Sequence, residues 1–184
     1  MQQEIIFAGF GGQGALFAGQ LVAYAALEQG KHVTWLPSYG PEMRGGTAHC
    51  TVIVADDEIG SPMVRHPASV VALNLPSFHK YEPMIKPGGL LVYNCSLIEA
   101  SPARTDIRYV AVPANEIGEA LGSVRIANVV LLGALLQSTG VLPLAAASAA
   151  LDAHLPERQR KLLAANKEAL QRGAACAAPE AAPA

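Results

Sequence analysis

Glu4-Ile5-Ile6-Phe7-Ala8-Gly9-Phe10-Gly11-Gly12-Gln13-Gly14 is the stretch whose reading decides the fold. A short apolar run rich in β-formers stops at a glycine cluster. A helical pattern follows at once, from Ala15 to Gln29, with Ala18, Leu21, Val22 and Ala25 on one face and Gly30 as its C-terminal stop. Strand, glycine turn and helix N-terminus in that order form the layout of an anion-binding turn, because the first N–H groups of the helix have no partner within it. Gly9, Gly11 and Gly14 match the spacing G-x-G-x-x-G. In that motif the first glycine permits the tight turn, the second lets an anion reach the backbone, and the third lets the helix pack close on the strand. Gly9, Gly11, Gly12, Gln13 and Gly14 are therefore candidate binding residues. A tight strand-to-helix turn can also require glycine with no ligand, so the motif alone leaves both readings open.

A dinucleotide site would carry an acidic residue about 20 residues further on, at the end of the second strand, to hold a ribose. Here the second strand, His32 to Leu36, runs into Pro37, Ser38 and Tyr39, while Glu28 comes too early and Glu42 too late. The loop is suited to an anion and poorly suited to NAD. The segment from Pro37 to Gly46 holds two prolines and three glycines, which excludes helix or central strand. A loop after strand two of an open α/β sheet lies at the carboxyl edge, where ligands and partners sit. It adds Tyr39, Arg44, Gly45 and Gly46 to the candidate site: a flat aromatic and a fixed cation beside flexible backbone.

Further strands are expected at Ala48 to Ala55, Ser69 to Leu73, Leu90 to Tyr93 and Tyr109 to Val112, with a short helix from Ser77 to Met84. The alternation implies an α/β fold, a single domain with a mostly parallel, doubly wound, Rossmann-like sheet and a helical C-terminal part. Ile126 to Gln137 is apolar nearly all round and reads as a buried helix. Leu144 to His154 and Glu157 to Arg172 follow as helices broken at Pro156. Residues 1–173 form the expected domain, and the Ala/Pro tail 174–184 is expected to be disordered.

The chain of 184 residues is 51% apolar and 15% charged, with a formal net charge of −2. That balance gives no basic footprint for nucleic acid, and the apolar runs are too short to span a bilayer. With no signal-peptide pattern at the start, a cytoplasmic location is expected. The three cysteines, Cys50, Cys95 and Cys176, show no C-x-x-C spacing, and the five histidines form no H-x-x-x-H pair. Neither a metal site nor a cluster is expected. No nucleophile motif or P-loop lysine is present, so no catalytic residue is assigned. A chain with an anion-ready loop and no reactive groups reads as part of something larger.

Gly9 to Gly14, followed by Pro37-Ser38-Tyr39-Gly40-Pro41-Glu42-Met43-Arg44-Gly45-Gly46-Thr47, resembles the gamma subunit of 2-oxoacid:ferredoxin oxidoreductases. The likeness continues through Ile59-Gly60-Ser61-Pro62, Lys86-Pro87-Gly88-Gly89 and Asn128 to Gly133. The second loop is its specific element, and resembles that of the 2-oxoglutarate and branched-chain (2-oxoisovalerate) types, with 2-oxoglutarate favoured. The resemblance implies a non-catalytic subunit of a complex that decarboxylates a 2-oxoacid, reduces ferredoxin and forms acyl-coenzyme A. It implies alpha and beta partner subunits, with a ferredoxin-like delta subunit in some complexes. Thiamine diphosphate, magnesium and iron–sulfur clusters are then expected on the partners, with no cofactor held by this chain alone. Its role would be assembly and contact with coenzyme A. A stand-alone NAD(P)-dependent dehydrogenase and a purely structural subunit are the competing readings.

Overall fold

The side chains of the first strand, β1 (Gln2–Phe10), alternate between two cores. Ile5 and Phe7 face one and Ile6 and Ala8 the other, as the period of two along a strand requires. The computed structural model describes residues 1–38, 47–101 and 103–177. Around β1 the sheet takes the order β2-β3-β1-β4-β5-β6, with β2 (His32–Ser38), β3 (Thr47–Ala55), β4 (Ser69–Ala72), β5 (Leu90–Asn94) and β6 (Arg108–Val112). The β1/β4, β4/β5 and β5/β6 pairs are parallel, so the expected α/β class and mostly parallel sheet hold.

One strand runs the other way. β3 lies antiparallel between β1 and β2, pairing Thr47 with Phe10 and His49 with both Ala8 and Ser38. Chain length dictates this: a parallel crossover needs about a dozen residues or more, and only positions 39–46 separate β2 from β3. Pro37 and Ser38, read from sequence as loop, belong to β2. An edge strand tolerates proline because one row of its N–H groups has no ladder to join.

Five helices cover one face: α1 (Ala15–Glu28), α3 (Ala114–Ala120), α4 (Ala127–Thr139), α5 (Leu144–His154) and α6 (Leu163–Ala177). The other face carries α2 (Leu75–Tyr81), whose Phe78 and Tyr81 pack with Ile6, Val70, Leu91 and Tyr93. Helix α1 stops in a Schellman motif. The Gly30 N–H bonds to Leu27 O and the Lys31 N–H to Ala26 O, with Gly30 at φ +73°. Helix α4 is buried from Ala127 to Leu136, as its all-round apolar sequence implied. Burial of Leu131, Leu132, Leu135 and Leu136 stabilises the fold by roughly 1.5–3 kcal/mol each.

The last helix departs from expectation at both ends. Residues Glu157–Leu162 form a 3-10 segment ahead of α6, and α6 continues through Gly173 to Ala177 with Ala174 buried. Gly173 is no helix terminator, because it lies against α4. A Cβ there would sit 1.8 Å from the Val130 carbonyl oxygen, and one on Gly133 would sit 2.0 Å from that of Leu170. The two helices thus cross backbone to backbone. Among the described residues no helix is long and apolar enough to cross a membrane.

Candidate functional site

Helix α1 leaves β1 toward one face of the sheet and α2 leaves β4 toward the other. The crevice at such a divergence, outside the carboxyl ends of the strands, is where open α/β sheets bind ligands. Here the glycine loop occupies it. Gly12 has φ +94° with open space where a Cβ would stand, and Gly11 and Gly12 are exposed. Gly14, the N-cap of α1, has φ +82°. No side chain caps this helix start and no acidic residue lies in its first turn, so its free N–H groups and positive dipole end remain available.

Three contacts from elsewhere in the chain hold the loop. The Gln13 side-chain oxygen accepts from Phe10 N at 2.7 Å and from Asn74 Nδ2 at 3.2 Å, and its Nε2 donates to Leu73 O at 3.4 Å. From α4, Asn128 Nδ2 donates to Gly14 O at 3.0 Å. Gly9 leaves room for this arrangement, since a Cβ there would stand 2.9 Å from both Gln13 Oε1 and Leu73 Cβ. Gln13, read from sequence as a binding residue, spends its side chain on pinning the loop. Gly14 makes room for Asn128, whose Nδ2 would lie 2.4 Å from an added Cβ. The close helix–strand approach expected at Gly14 occurs instead at Gly19 of α1, where a Cβ would meet Cys50 Sγ at 2.3 Å.

Two cavities open on either side of Gly12 and Arg125. The larger, about 480 Å³, is lined by Gly12, Gly14, Asn128 and Asn166 together with Arg125, Arg158 and Lys161. Arg125 comes from the 3-10 turn Val124–Ile126, and Arg158 and Lys161 from the 3-10 segment Glu157–Leu162. Among the described residues none of these three cations pairs with a carboxylate, whereas the neighbouring Arg160 pairs with Glu157 at 3.5 Å. Three unneutralised cations beside an uncapped helix start make a cleft for a polyanion. The smaller cavity, about 130 Å³, lies between Gly12, Gln13, Leu73, Asn94, Leu97, Asn115, Val124 and Ala127.

The structure therefore gathers Gly9, Gly11, Gly12, Gln13 and Gly14 at one edge. Tyr39, Arg44, Gly45 and Gly46 lie outside the described residues; the flanking Ser38 and Thr47 sit at the same sheet edge, through the pairs Ser38/His49 and Thr47/Phe10. Sequence reading missed Arg125, Arg158 and Lys161. A signal was present: cations at the start of an expected helix oppose its dipole, and Arg158, Arg160 and Lys161 stand there together. Among the described residues no group of three or more His, Cys, Asp or Glu side chains could hold a metal ion. The end of β2 offers Leu36, Pro37 and Ser38, with no carboxylate for a ribose.

Comparison with known proteins agrees with this architecture. The ketoisovalerate oxidoreductase subunit VorA of Methanothermobacter thermautotrophicus is 43% identical over 133 residues, covering 72% of this chain and 28% of VorA. The chain thus spans little more than a quarter of that relative. The 2-oxoglutarate synthase subunit KorC of the same organism is 33% identical, with 94% of this chain and 97% of KorC covered. Among solved structures, the keto/oxoacid ferredoxin oxidoreductase gamma subunit of Geobacter sulfurreducens superposes with a TM-score of 0.82 at 32% identity, covering 95% and 98% of the two chains. The 2-oxoglutarate:ferredoxin oxidoreductase of Magnetococcus marinus, solved with 2-oxoglutarate, coenzyme A and succinyl-CoA, shares the fold at a TM-score of 0.86 and 24% identity, covering 99% of this chain and 32% of that one. Residues 4–176 match the family described as pyruvate ferredoxin/flavodoxin oxidoreductase, and the chain belongs to that family.

Proposed function

We propose that this chain is the gamma subunit of a 2-oxoacid:ferredoxin oxidoreductase and that its glycine-loop cleft holds the phosphates of coenzyme A. The carrying observation is the convergence of Arg125, Arg158 and Lys161 on the open side of Gly12 and Gly14. Coenzyme A carries a diphosphate and a further phosphate, a charge density that one cation and a loop would meet only in part. The complex decarboxylates a 2-oxoacid, reduces ferredoxin and passes the acyl group to the coenzyme A thiol. This chain supplies electrostatic anchoring, while thiamine diphosphate, magnesium and iron–sulfur clusters belong to the alpha and beta partners, with a ferredoxin-like delta subunit where one is present. Two relatives named as 2-oxoglutarate synthase subunits cover 85% and 94% of the chain, which favours that substrate. Tyr39, Arg44, Gly45 and Gly46 are proposed as further contacts of the same anion, and a cytoplasmic location is proposed for the complex.

The test is the KM for coenzyme A in the assembled enzyme. A charge-assisted contact contributes about 1.5–3 kcal/mol, so Arg158→Ala with Lys161→Ala should raise that KM by about a hundredfold or more. Decarboxylation measured without coenzyme A should keep its rate. An unchanged coenzyme A KM in a fully assembled complex would remove the basis of the assignment.

A further inference from the structure

The cations of the larger cleft stand on supports of unequal firmness. Arg125 precedes Ile126, which is buried in the main core, and its backbone N–H donates to Ser123 Oγ at 3.3 Å, which caps the turn. Arg158 and Lys161 belong to a wall with no such anchor. Leu155 and Asn166 are each 3% exposed, and none of positions 156–165 between them is buried. Among the described residues, no side chain of Glu157–Leu162 makes a hydrogen bond or ion pair outside the segment, and Arg160 pairs only with Glu157. The backbone bonds of the segment are local: Gln159 N donates to Pro156 O at 2.7 Å, and Asn166 Nδ2 donates to Leu162 O at 2.9 Å.

A 3-10 run of six residues is long for that geometry, whose hydrogen bonds are poorer than those of an α-helix. Few buried contacts and exposed backbone bonds mark a segment that opens locally, at a cost well below that of global unfolding. Charge gives such motion a direction. Arg125, Arg158 and Lys161 line one cavity of about 480 Å³, and like charges across it repel. An anion lying between them reverses the sign and attracts the segment toward Arg125 and the free N–H groups at the start of α1.

We propose that Glu157–Leu162 is a strap that closes over a polyanion in the cleft, carrying Arg158 and Lys161 toward Arg125. Its hinges are the residues that bound it: Pro156, extended at ψ 140°, and Leu163, the first residue of α6. The inference rests on the reading of the cleft as a polyphosphate site and adds a moving wall to it. A ligand that bridges Arg125 and the strap binds the closed arrangement better than the open one, and that difference in affinity is what shifts the population.

Trypsin cuts after Arg158, Arg160 and Lys161, so limited proteolysis of the full chain reads the strap directly, with the cut after the exposed Arg65 as internal reference. The probe is inorganic pyrophosphate, its binding measured by calorimetry. At ten times its dissociation constant it should slow cutting of the strap about tenfold, the factor for a ligand bound only by the closed form, and leave the reference cut unchanged. Arg125→Glu, which sets a carboxylate opposite the strap, should slow the same cuts with no pyrophosphate present. If pyrophosphate protects the strap but Arg125→Glu does not, the ligand merely shields the sites and closure is refuted. If pyrophosphate binds without protecting, or the strap of the parent chain resists trypsin from the start, closure is refuted and the phosphate cleft stands. If pyrophosphate does not bind, the cleft reading and the strap fall together.

Discussion

Gly173→Ala adds one methyl group where α6 crosses α4. Its carbon would lie 1.8 Å from the Val130 carbonyl oxygen and 2.6 Å from the carbonyl carbon. Comfortable carbon contacts begin near 3.5 Å, so the helices would have to part by roughly 1.5 Å. Both offending atoms are backbone, and no rotamer change relieves them. Overpacking costs about 1–3 kcal/mol in general, and a backbone clash belongs at the upper end. Against this, alanine gains about 1 kcal/mol over glycine in a helix interior. The net expectation is about 2 kcal/mol of destabilisation, a fall in Tm of about 4–8 °C for a domain of this size. Urea unfolding should show a lower midpoint at an unchanged slope. Because α4 carries Asn128 and α6 carries Asn166, parting the helices should also widen the basic cleft. A midpoint equal to or above that of the parent protein would mean that propensity wins and that the helices do not meet through their backbones.

Two further outcomes concern titrating groups. Burial pushes the Cys50 thiol up to about 12, and its Sγ lies 3.6 Å from Ala15 O; at pH 8 iodoacetamide should label Cys176 in the folded protein and spare Cys50, with all three cysteines labelled in urea. Equal labelling rates for Cys50 and Cys176 in the folded state would contradict the packing of α1 on β3. Asp56 is held down to about 2 by hydrogen bonds from Lys31 first and then from the Met1 ammonium. Its folded value lies below the ordinary 3.8, so the stabilisation it lends is complete above about pH 4 and is lost as pH falls through about 2. Lys31→Gln should move the NMR-detected Asp56 midpoint upward, and an ordinary midpoint in the parent protein would dispose of the pair.

The part of the fold legible in the sequence was the part governed by neighbours along the chain. The run from Glu4 to Gly14 declared strand, turn and helix because period and glycine placement change within a dozen positions. Buried strands such as Val70 to Ala72 read as continuous apolar runs, since both faces are covered. The reversal of β3 was encoded only in the shortness of its connection to β2. Gly133 and Gly173 look like a weak helix position and a helix stop until the crossing brings each against the other helix. The same holds for the site. Its glycine loop was legible, but Gln13 acts on Leu73 and Asn74, and Gly14 on Asn128, partners that no local pattern names. Arg125 and the Arg158/Lys161 pair come together only because α6 folds back along α4. Tyr39, Arg44, Gly45 and Gly46 lie outside the described residues.

The pinned glycine loop also has a thermodynamic signature. Fixing a backbone residue in one conformation costs about 1–2 kcal/mol, and a phosphate loop that ordered only on contact would draw that cost from its affinity. Here Gln13, Asn74 and Asn128 meet it during folding. The loop is preorganised: it holds one shape, anchored to the turn after β4 and to a helix more than a hundred positions along the chain. On the proposed coenzyme A role, encounter with its phosphates would be a docking event, limited by diffusion and charge steering, in place of a coupled ordering step. The shape of this edge is written as much in the distant asparagine of α4 as in its own glycines.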